Sequence, residues 1–381
     1  MYLYTFLRGI IMKKIYFYFV KVLYKLNAVR QKFIEIKKIK EKKRVFIQNK
    51  VSLTNEQKEQ VNKFYLKHYG KKIMLNWHKN YYAISGKFDY KYFPESLYIP
   101  YFERLLNNPN YYKCLQDKNV TELFIKGLDY VKSIDYYAKC VNGLLTNDKG
   151  EIIDINQLSR ILEGERCFIK STVDSNSGKG CRVCHFINNK DQKTNENIVD
   201  IIKTFGNNYV IQHLVKNSSF LSKLNPTSLN TFRVITYILD NKVYHMPVLL
   251  RIGRYGKFLD NAHAGGIFIG IDDNGDLLEF AHSEFGGNYD RHPDTDVVFK
   301  GYCIPEVTSV IDVAHKLQTL FPQVGCINWD LTLDENNDVV LIETNMRCGS
   351  VWLPQMAHGK SAFGDNTERV LEIIRNNKEL Y

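Results

Sequence analysis

The chain has 381 residues, 44% of them hydrophobic, enough for a large core or for two to three domains. Its formal charge of +11 belongs almost wholly to residues 1–50, which hold 14 Lys/Arg and 2 Asp/Glu; the remainder holds 38 and 39, so the body offers no broad basic surface and no nucleic-acid partner is expected. Eight cysteines are scattered, and the one CxxC, Cys181-Arg-Val-Cys184, has no second pair or histidine ladder to complete a zinc site, so reduced cytosolic thiols fit best.

Residues 1–50 predict a basic, aromatic amphipathic helix, with Tyr2, Tyr4, Phe6, Tyr16, Phe17, Tyr18, Phe19 and Tyr24 among Arg8, Lys13, Lys14, Lys21 and Lys25. The longest uncharged apolar run, Ile15 to Val20, is too short to span a bilayer, and no small-residue cleavage site follows it. Residues 1–45 can lie on an anionic inner leaflet, where each cation contributes about 1 kcal/mol. The plainer alternative is a helix packed on the body with Lys37 to Arg44 solvated.

Residues 51–115 read as mostly helical, starting near Ser52-Leu-Thr54-Asn55-Glu56-Gln57 and cut into short pieces by Pro94, Pro100 and Pro109. No strand–GxGxxG–helix unit is present, so a dinucleotide fold is unsupported. Residues 116–165 mix short helices with a hairpin at Leu144 to Asp154. From 166 onward the pattern turns to strands: Cys167 to Lys170 and Cys181 to Ile187 around a loop, a helix at about 195–206, then Tyr209 to Leu214. Thr231 to Leu239 and Val243 to Arg251 are joined across Asp240-Asn241-Lys242, and two further runs meet at Asp272 to Gly275. A helix at about 305–320 precedes an acidic hairpin, and a last helix at about 365–378 closes the chain.

The acidic hairpin is the most informative stretch. Asn328-Trp329-Asp330 and Glu343-Thr344-Asn345 sit in apolar runs on either side of the turn Asp334 to Asp338. Pairing would bring Asp330 close to Glu343 and Asn345, which share one face. Two carboxylates and an amide suit a hard cation such as Mg²⁺; the bland alternative is a hairpin with a wet polar face. Upstream, Asp174-Ser175-Asn176-Ser177-Gly178-Lys179-Gly180 can lay N–H groups and a cation over phosphates, although it also reads as an ordinary hairpin tip. Lys170 ends an apolar strand, where an unpaired cation is costly and a polyphosphate would compensate it. Arg233 and Arg251 lie on adjacent strands, so either one points to solvent or an anion sits between them. Asn261 and Gly265-Gly266 follow in a loop able to approach a ligand closely, and Arg347 adds a cation past Asn345. No Ser/His/Asp or Cys/His set is evident. His263 and His358 read as proton acceptors or, more plainly, as surface or packing histidines.

The order of these parts resembles the ATP-grasp superfamily, most closely its sugar-transfer-associated branch, with alpha-L-glutamate ligase-like character. The resemblance covers about residues 95 to 365 and is carried by Leu115-Gln-Asp117-Lys118-Asn119, Phe168-Ile-Lys170 with Gly178-Lys-Gly180, Leu224-Asn-Pro226 to Arg233, Leu250-Arg251-Ile-Gly253, Asp260 to Gly266, Gly325 to Asp330, and Glu343-Thr344-Asn345. It implies an α+β fold in which two α+β subdomains grip ATP, behind an amino-terminal helical extension. The implied division is 1–50 as the basic segment, 51–115 as a helical region, 116–212 as the first half with a lid subdomain at about 166–212, and 213–381 as the half with the metal site.

By resemblance, Lys118, Lys170, Ser177, Gly178, Lys179, Gly180, Gln212, His213 and Leu214 would hold ATP, with 212–214 at the adenine hinge. Asp330, Glu343 and Asn345 would hold one or two Mg²⁺. Arg233, Arg251, Asn261 and Arg347 would hold transferred phosphate or substrate carboxylate. The implied activity is carboxylate–amine ligation through an acyl phosphate, in building or decorating a surface polysaccharide from a sugar or polysaccharide precursor, in the cytoplasm or at the inner face of the membrane. A sugar or small-molecule kinase on the same fold, and a non-catalytic tether at a membrane surface, are the alternatives. Two departures bear on the substrates: the segment leading into the unit is short and reads as helical where the family usually has an α/β domain, and Met346-Arg-Cys-Gly349 replaces the more frequent small-residue and proline turn.

Overall fold

The basic segment forms one long helix, α1 (Tyr2–Ile39). The computed structural model describes residues 2–172, 180–258 and 260–377, with the backbone alone for residues 2–11, 13, 14 and 17. It divides into two units, one made of residues 1–106 with 348–381 and the other of Asn107–Arg347.

In the first unit the carboxyl half of α1 is packed, with Ala28, Glu35 and Ile39 buried. Arg104 stacks on Tyr24 at 3.8 Å and donates to Tyr24 O (2.9 Å) and Asn27 Oδ1 (3.2 Å). On the opposite side of the helical wheel Met12, Ile15, Phe19, Leu23, Leu26 and Phe33 are exposed. The sequence set a membrane-lying helix against one packed on the body with Lys37 to Arg44 solvated. Helix α1 packs by one face and exposes the other, and Lys37, Lys38, Lys40, Lys42 and Lys43 are exposed, but Arg44 is buried, stacked on Trp77 and Trp352. No helix among the described residues is long and apolar enough to cross a membrane. Helix α2 (Asn55–His68) begins at the expected capping box: Thr54 Oγ1 accepts from Gln57 N (3.1 Å), and Gln57 Oε1 accepts from Thr54 N (3.0 Å). Helix α3 (Asn76–Ser85) ends at Gly86, whose φ of 71° needs no Cβ. Pro100 does not cut the segment as expected. It lies in a widened π-helical turn, Tyr98–Glu103, continuous with helical residues on both sides, which relieves the clash its ring would make in an α-helix. Helix Trp352–His358, which the sequence reading did not anticipate, and helix Thr367–Asn376 complete this unit.

In the second unit a short helix, Pro109–Leu115, leads into α4 (Lys118–Ile125), capped by Asp117 through Asn119 N. Two antiparallel sheets follow. The first contains β1 (Tyr136–Val141), β2 (Leu144–Asn147), β3 (Arg166–Ser171), β4 (Cys181–Ile187), β5 (Lys190–Asp191) and β6 (Tyr209–His213), in the order β2-β1-β6-β3-β4-β5. Strands thus begin at Tyr136, ahead of the expected Leu144 to Asp154 hairpin, whose arms do meet, with Thr146 opposite Ile152. The missed signal is Asn142-Gly143, both at positive φ (51° and 85°), which makes the two-residue turn between β1 and β2. Cys167, Ile169, Tyr209 and Ile211 pack on helices Ile155–Ile161 and Ile198–Lys203, the latter shorter than expected. Strand alternation then sends Phe168, Lys170, Val210 and Gln212 to the other face.

The second sheet contains β7 (Thr231–Leu239), β8 (Lys242–His245), β9 (Leu249–Ile252), β10 (Ile267–Gly270), β11 (Ala281–His282), β12 (Asn288–Tyr289), β13 (Cys326–Leu333) and β14 (Val339–Asn345). Its order is β12-β11-β10-β9-β7-β13-β14, with β8 also on β7. Thr236 pairs with His245 but Thr231 with Arg251, a one-residue slip that marks a bulge around Pro247, where no ladder N–H is available. Helix α5 (Val307–Leu320) lays Val310, Val313, Ala314 and Leu317 into one core with Val234, Ile327, Trp329 and Leu331. Each such aliphatic side chain contributes about 1.5–3 kcal/mol by burial. With these odd-numbered β13 residues in the core, Asn328, Asp330 and Thr332 take the opposite face.

Candidate active site

On that polar face the strand register sets a row of charges. Asp330 stands opposite Arg233 on β7 and Glu343 on β14, and Asn328 stands opposite Asn345. The anion shared by the two arginines turns out to come from the protein. Asp330 accepts from Arg233 Nε (2.6 Å) and Nη2 (3.2 Å), and Arg251 Nη2 lies 3.2 Å from its Oδ2. Burial works to raise the Asp330 carboxyl, but Arg233 and then Arg251 outweigh it and hold it below the usual range. Arg251 is itself fixed: Thr231 Oγ1 accepts from its Nε (3.0 Å) and Nη2 (2.6 Å), Asn261 Oδ1 from its Nη1 (3.2 Å), and Asp260 Oδ2 lies 3.5 Å from Nε. The Asp260 carboxyl is pushed up, mainly by burial and against the pull of Arg251.

Two lysines approach the same row from the other side. Lys118 Nζ lies 3.5 Å from Glu343 Oε1 and donates to Ser171 O (3.2 Å). Lys170 Nζ donates to Ile342 O (3.4 Å). Burial, then the neighbouring Lys118, lowers Lys170 to about 8. Between the sheets and α4 lies a cleft of about 40 Å³, whose walls include Lys118, Glu122, Lys170, Gln212, Glu343 and Thr344. Two buried atoms on its wall, Asn119 Nδ2 and Gln212 Oε1, have no hydrogen-bond partner among the described residues; nor does Asn328 Nδ2 beside Asn345. Such orphaned atoms fit a polar ligand. The oxygen set Asp330, Glu343 and Asn345 has the donor chemistry that Mg²⁺ takes.

The other expected residues fall as follows. Asn261 meets Arg251, as just described. His213 is exposed, its ring stacked on Tyr137 at 3.8 Å and its backbone N–H donated to Asp135 O (2.9 Å); Leu214 is half-buried. Gly180 has φ 72°, and a Cβ there would stand 2.9 Å from Ser171 Oγ. Ser177, Gly178 and Lys179 lie outside the described residues. Arg347 is exposed and makes no ion pair among the described residues. Sequence reasoning gave no role to Thr231, Asp260 or Glu122. Glu122 is one helical turn past Lys118, and that spacing was the available signal.

A model of the sugar-transfer associated ATP-grasp family matches residues 100–370. Among solved structures, D-alanyl-alanine synthetase A from Vibrio cholerae is 14% identical with a TM-score of 0.40, over 70% of this chain and 66% of that one. An L-amino acid ligase from Bacillus licheniformis is 11% identical with a TM-score of 0.37, over 70% and 48%. N5-carboxyaminoimidazole synthetase from Staphylococcus aureus, complexed with ADP, is 13% identical with a TM-score of 0.35, over 62% and 46%. The chain spans less than half the length of the first solved structures it matches. No curated protein matches.

Proposed function

Because the chain belongs to the sugar-transfer associated ATP-grasp family and has its α+β fold, we propose that it is an ATP- and Mg²⁺-dependent ligase joining a carboxylate to an amine through an acyl phosphate. The observation that carries this reading is the convergence of Lys118, Lys170 and Glu343 on one cleft, with Asp330 opposite Glu343 in the strand register and Asn345 two residues further along β14. Lys118 and Lys170 bind the nucleotide's phosphates, and Gln212 offers its unpartnered Oε1 on the cleft wall. Asp330, Glu343 and Asn345 hold Mg²⁺, which when bound neutralises phosphate charge. Arg233 and Arg251 turn from Asp330 toward the phosphoryl group and the substrate carboxylate, whose developing charge they stabilise. A cleft of about 40 Å³ holds water but no nucleotide, so the two sheets part to admit ATP.

The substrates are a small carboxylate and an amine, and the work is building or decorating surface polysaccharide from a sugar precursor in the cytoplasm, a reading supported by the family's association with sugar transfer. The exposed apolar face of α1, with its basic residues, seats the enzyme on the anionic inner face of the membrane. ADP release, screened with amino acids against uronic-acid sugars, tests the ligase reading. Full turnover needs both a carboxylate and an amine. Turnover on one hydroxyl acceptor with a stable phosphate ester makes it a kinase, and no turnover at all makes it a tether.

A further inference from the structure

The loop that fixes Arg251 also carries a histidine that the phosphoryl-transfer machinery leaves unused. Residues Asn261 to Gly266 form a tight turn. Ala264 N and Gly266 N both donate to Asn261 O (2.9 and 3.0 Å), and Gly265 takes φ 100°. A Cβ at Gly266 would stand 2.2 Å from Asp260 O, so only glycine lets the strand entering β10 pass this close. Lys257 Nζ ties Ala264 O at 2.8 Å, and Arg254 ties Gly265 O. This turn holds His263 on the residues that anchor Arg251, whose own Nη2 touches Asp330. The imidazole is half-exposed, at 54%, while Glu284 Oε2, 2.5 Å from its Nδ1, belongs to a side chain only 3% exposed. Burying a carboxylate is costly, and here the charge lies against an imidazole. Glu284 Oε2 makes no hydrogen bond among the described residues, so the contact is an ion-pair approach of a buried carboxylate to the Nδ1 edge, placed to balance an imidazolium when the ring takes up a proton.

We propose that His263 and Glu284 form the base that deprotonates the incoming amine in the second half of the reaction. This rests on the ligase reading. The amine nitrogen attacks the acyl phosphate carbonyl, the C–N bond forms, and the C–O bond to phosphate breaks, with phosphate leaving on the electron pair. The nitrogen arrives as an ammonium and gives one proton to His263 Nε2 before it attacks, forming an imidazolium balanced by Glu284; the second proton leaves the nitrogen after attack and departs on the phosphate. His263 is the catalytic residue, and Glu284 positions it.

Two amines separate this step from acyl phosphate formation. Hydroxylamine is largely unprotonated at neutral pH and traps an acyl phosphate without a base; an amino acid's amine is protonated and requires one. The test uses the full chain and the carboxylate that gives most ADP release in the screen above. In His263→Gln, amide formation should fall about 10²-fold or more, the range of one general base, while hydroxamate formation changes less than threefold. In His263→Ala, added imidazole should restore part of the amide rate, and Glu284→Gln should show a smaller loss in the same step. Equal loss of both products, or an amide rate within twofold of the parent, overturns the assignment. If the parent protein forms no hydroxamate with any carboxylate while ADP release is also absent, the ligase reading fails, and the dyad's role with it.

Discussion

Replacing Lys170 with methionine should make the protein more stable while removing its nucleotide binding. The ammonium is almost fully buried, donates to one backbone carbonyl, and has Lys118 as a charged neighbour. Burial and that neighbour lower it from an ordinary 10.5 to about 8, a difference of about 3 kcal/mol at about 1.4 kcal/mol per pH unit. The folded value is depressed, so folding disfavours the charged form. That cost is fully present below about 8 and fades as pH rises through 10.5, where the unfolded chain loses its proton too. Methionine fills a similar volume without the charge. At pH 7 the variant should therefore unfold about 2–3 kcal/mol later, or roughly 5–10 °C higher for a unit of this size. Circular dichroism melts of both proteins at pH 7 and pH 10 measure this. The stability gap should shrink toward zero at the higher pH, and titration calorimetry should find ATP affinity lost. A variant less stable than the parent at pH 7, or a gap independent of pH, would refute the reasoning that this cation is held in place for a ligand.

Asp330→Asn should cost about 3–5 kcal/mol in urea denaturation, because Arg233 and Arg251 would be left as buried charges facing a neutral amide. Its loss of turnover would thus mix stability with chemistry. Glu343→Gln is the cleaner probe of the metal row, since Glu343 is part-exposed and its ion pair among the described residues is with Lys118 at 3.5 Å; turnover should fall by at least about 10²-fold with an unchanged urea midpoint. Asp260→Asn should weaken the hold on Arg251 and lower kcat more than it raises ATP KM, because Arg251 is assigned to the transferred group. Removing residues 1–22 spares the Tyr24–Arg104 clasp and should abolish sedimentation with phosphatidylserine vesicles while leaving ATP affinity unchanged. Retained sedimentation would remove the membrane assignment.

The strands that build the site were legible because alternation is a local signal. Asn328-Trp329-Asp330 shows its apolar and polar faces directly in sequence, and the spacing to Glu343 and Asn345 suffices to pair them across a turn. The β1–β2 hairpin was missed because Val141-Asn142-Gly143-Leu144 is a two-residue turn flanked by mixed, half-exposed residues, so the turn chemistry was stronger than the strand pattern. Pro100 misled because a π-helical turn accommodates what an α-helix does not. Partners across long separations were not legible. That Asp330 answers both Arg233 and Arg251 requires three strands in register, and that Glu284 lies against His263 requires the close packing of two glycine-containing turns. Local propensity records neither.

The account depends on a triphosphate being held between the lysines and the oxygen row. A crystal structure with a non-hydrolysable ATP analogue and Mg²⁺ tests this most directly. The prediction is that the phosphates lie between Lys118 and Lys170 on one side and Asp330, Glu343 and Asn345 on the other, with the two sheets farther apart. A nucleotide bound elsewhere, or Asp330 still clasped by both arginines with no metal beside it, would contradict the account.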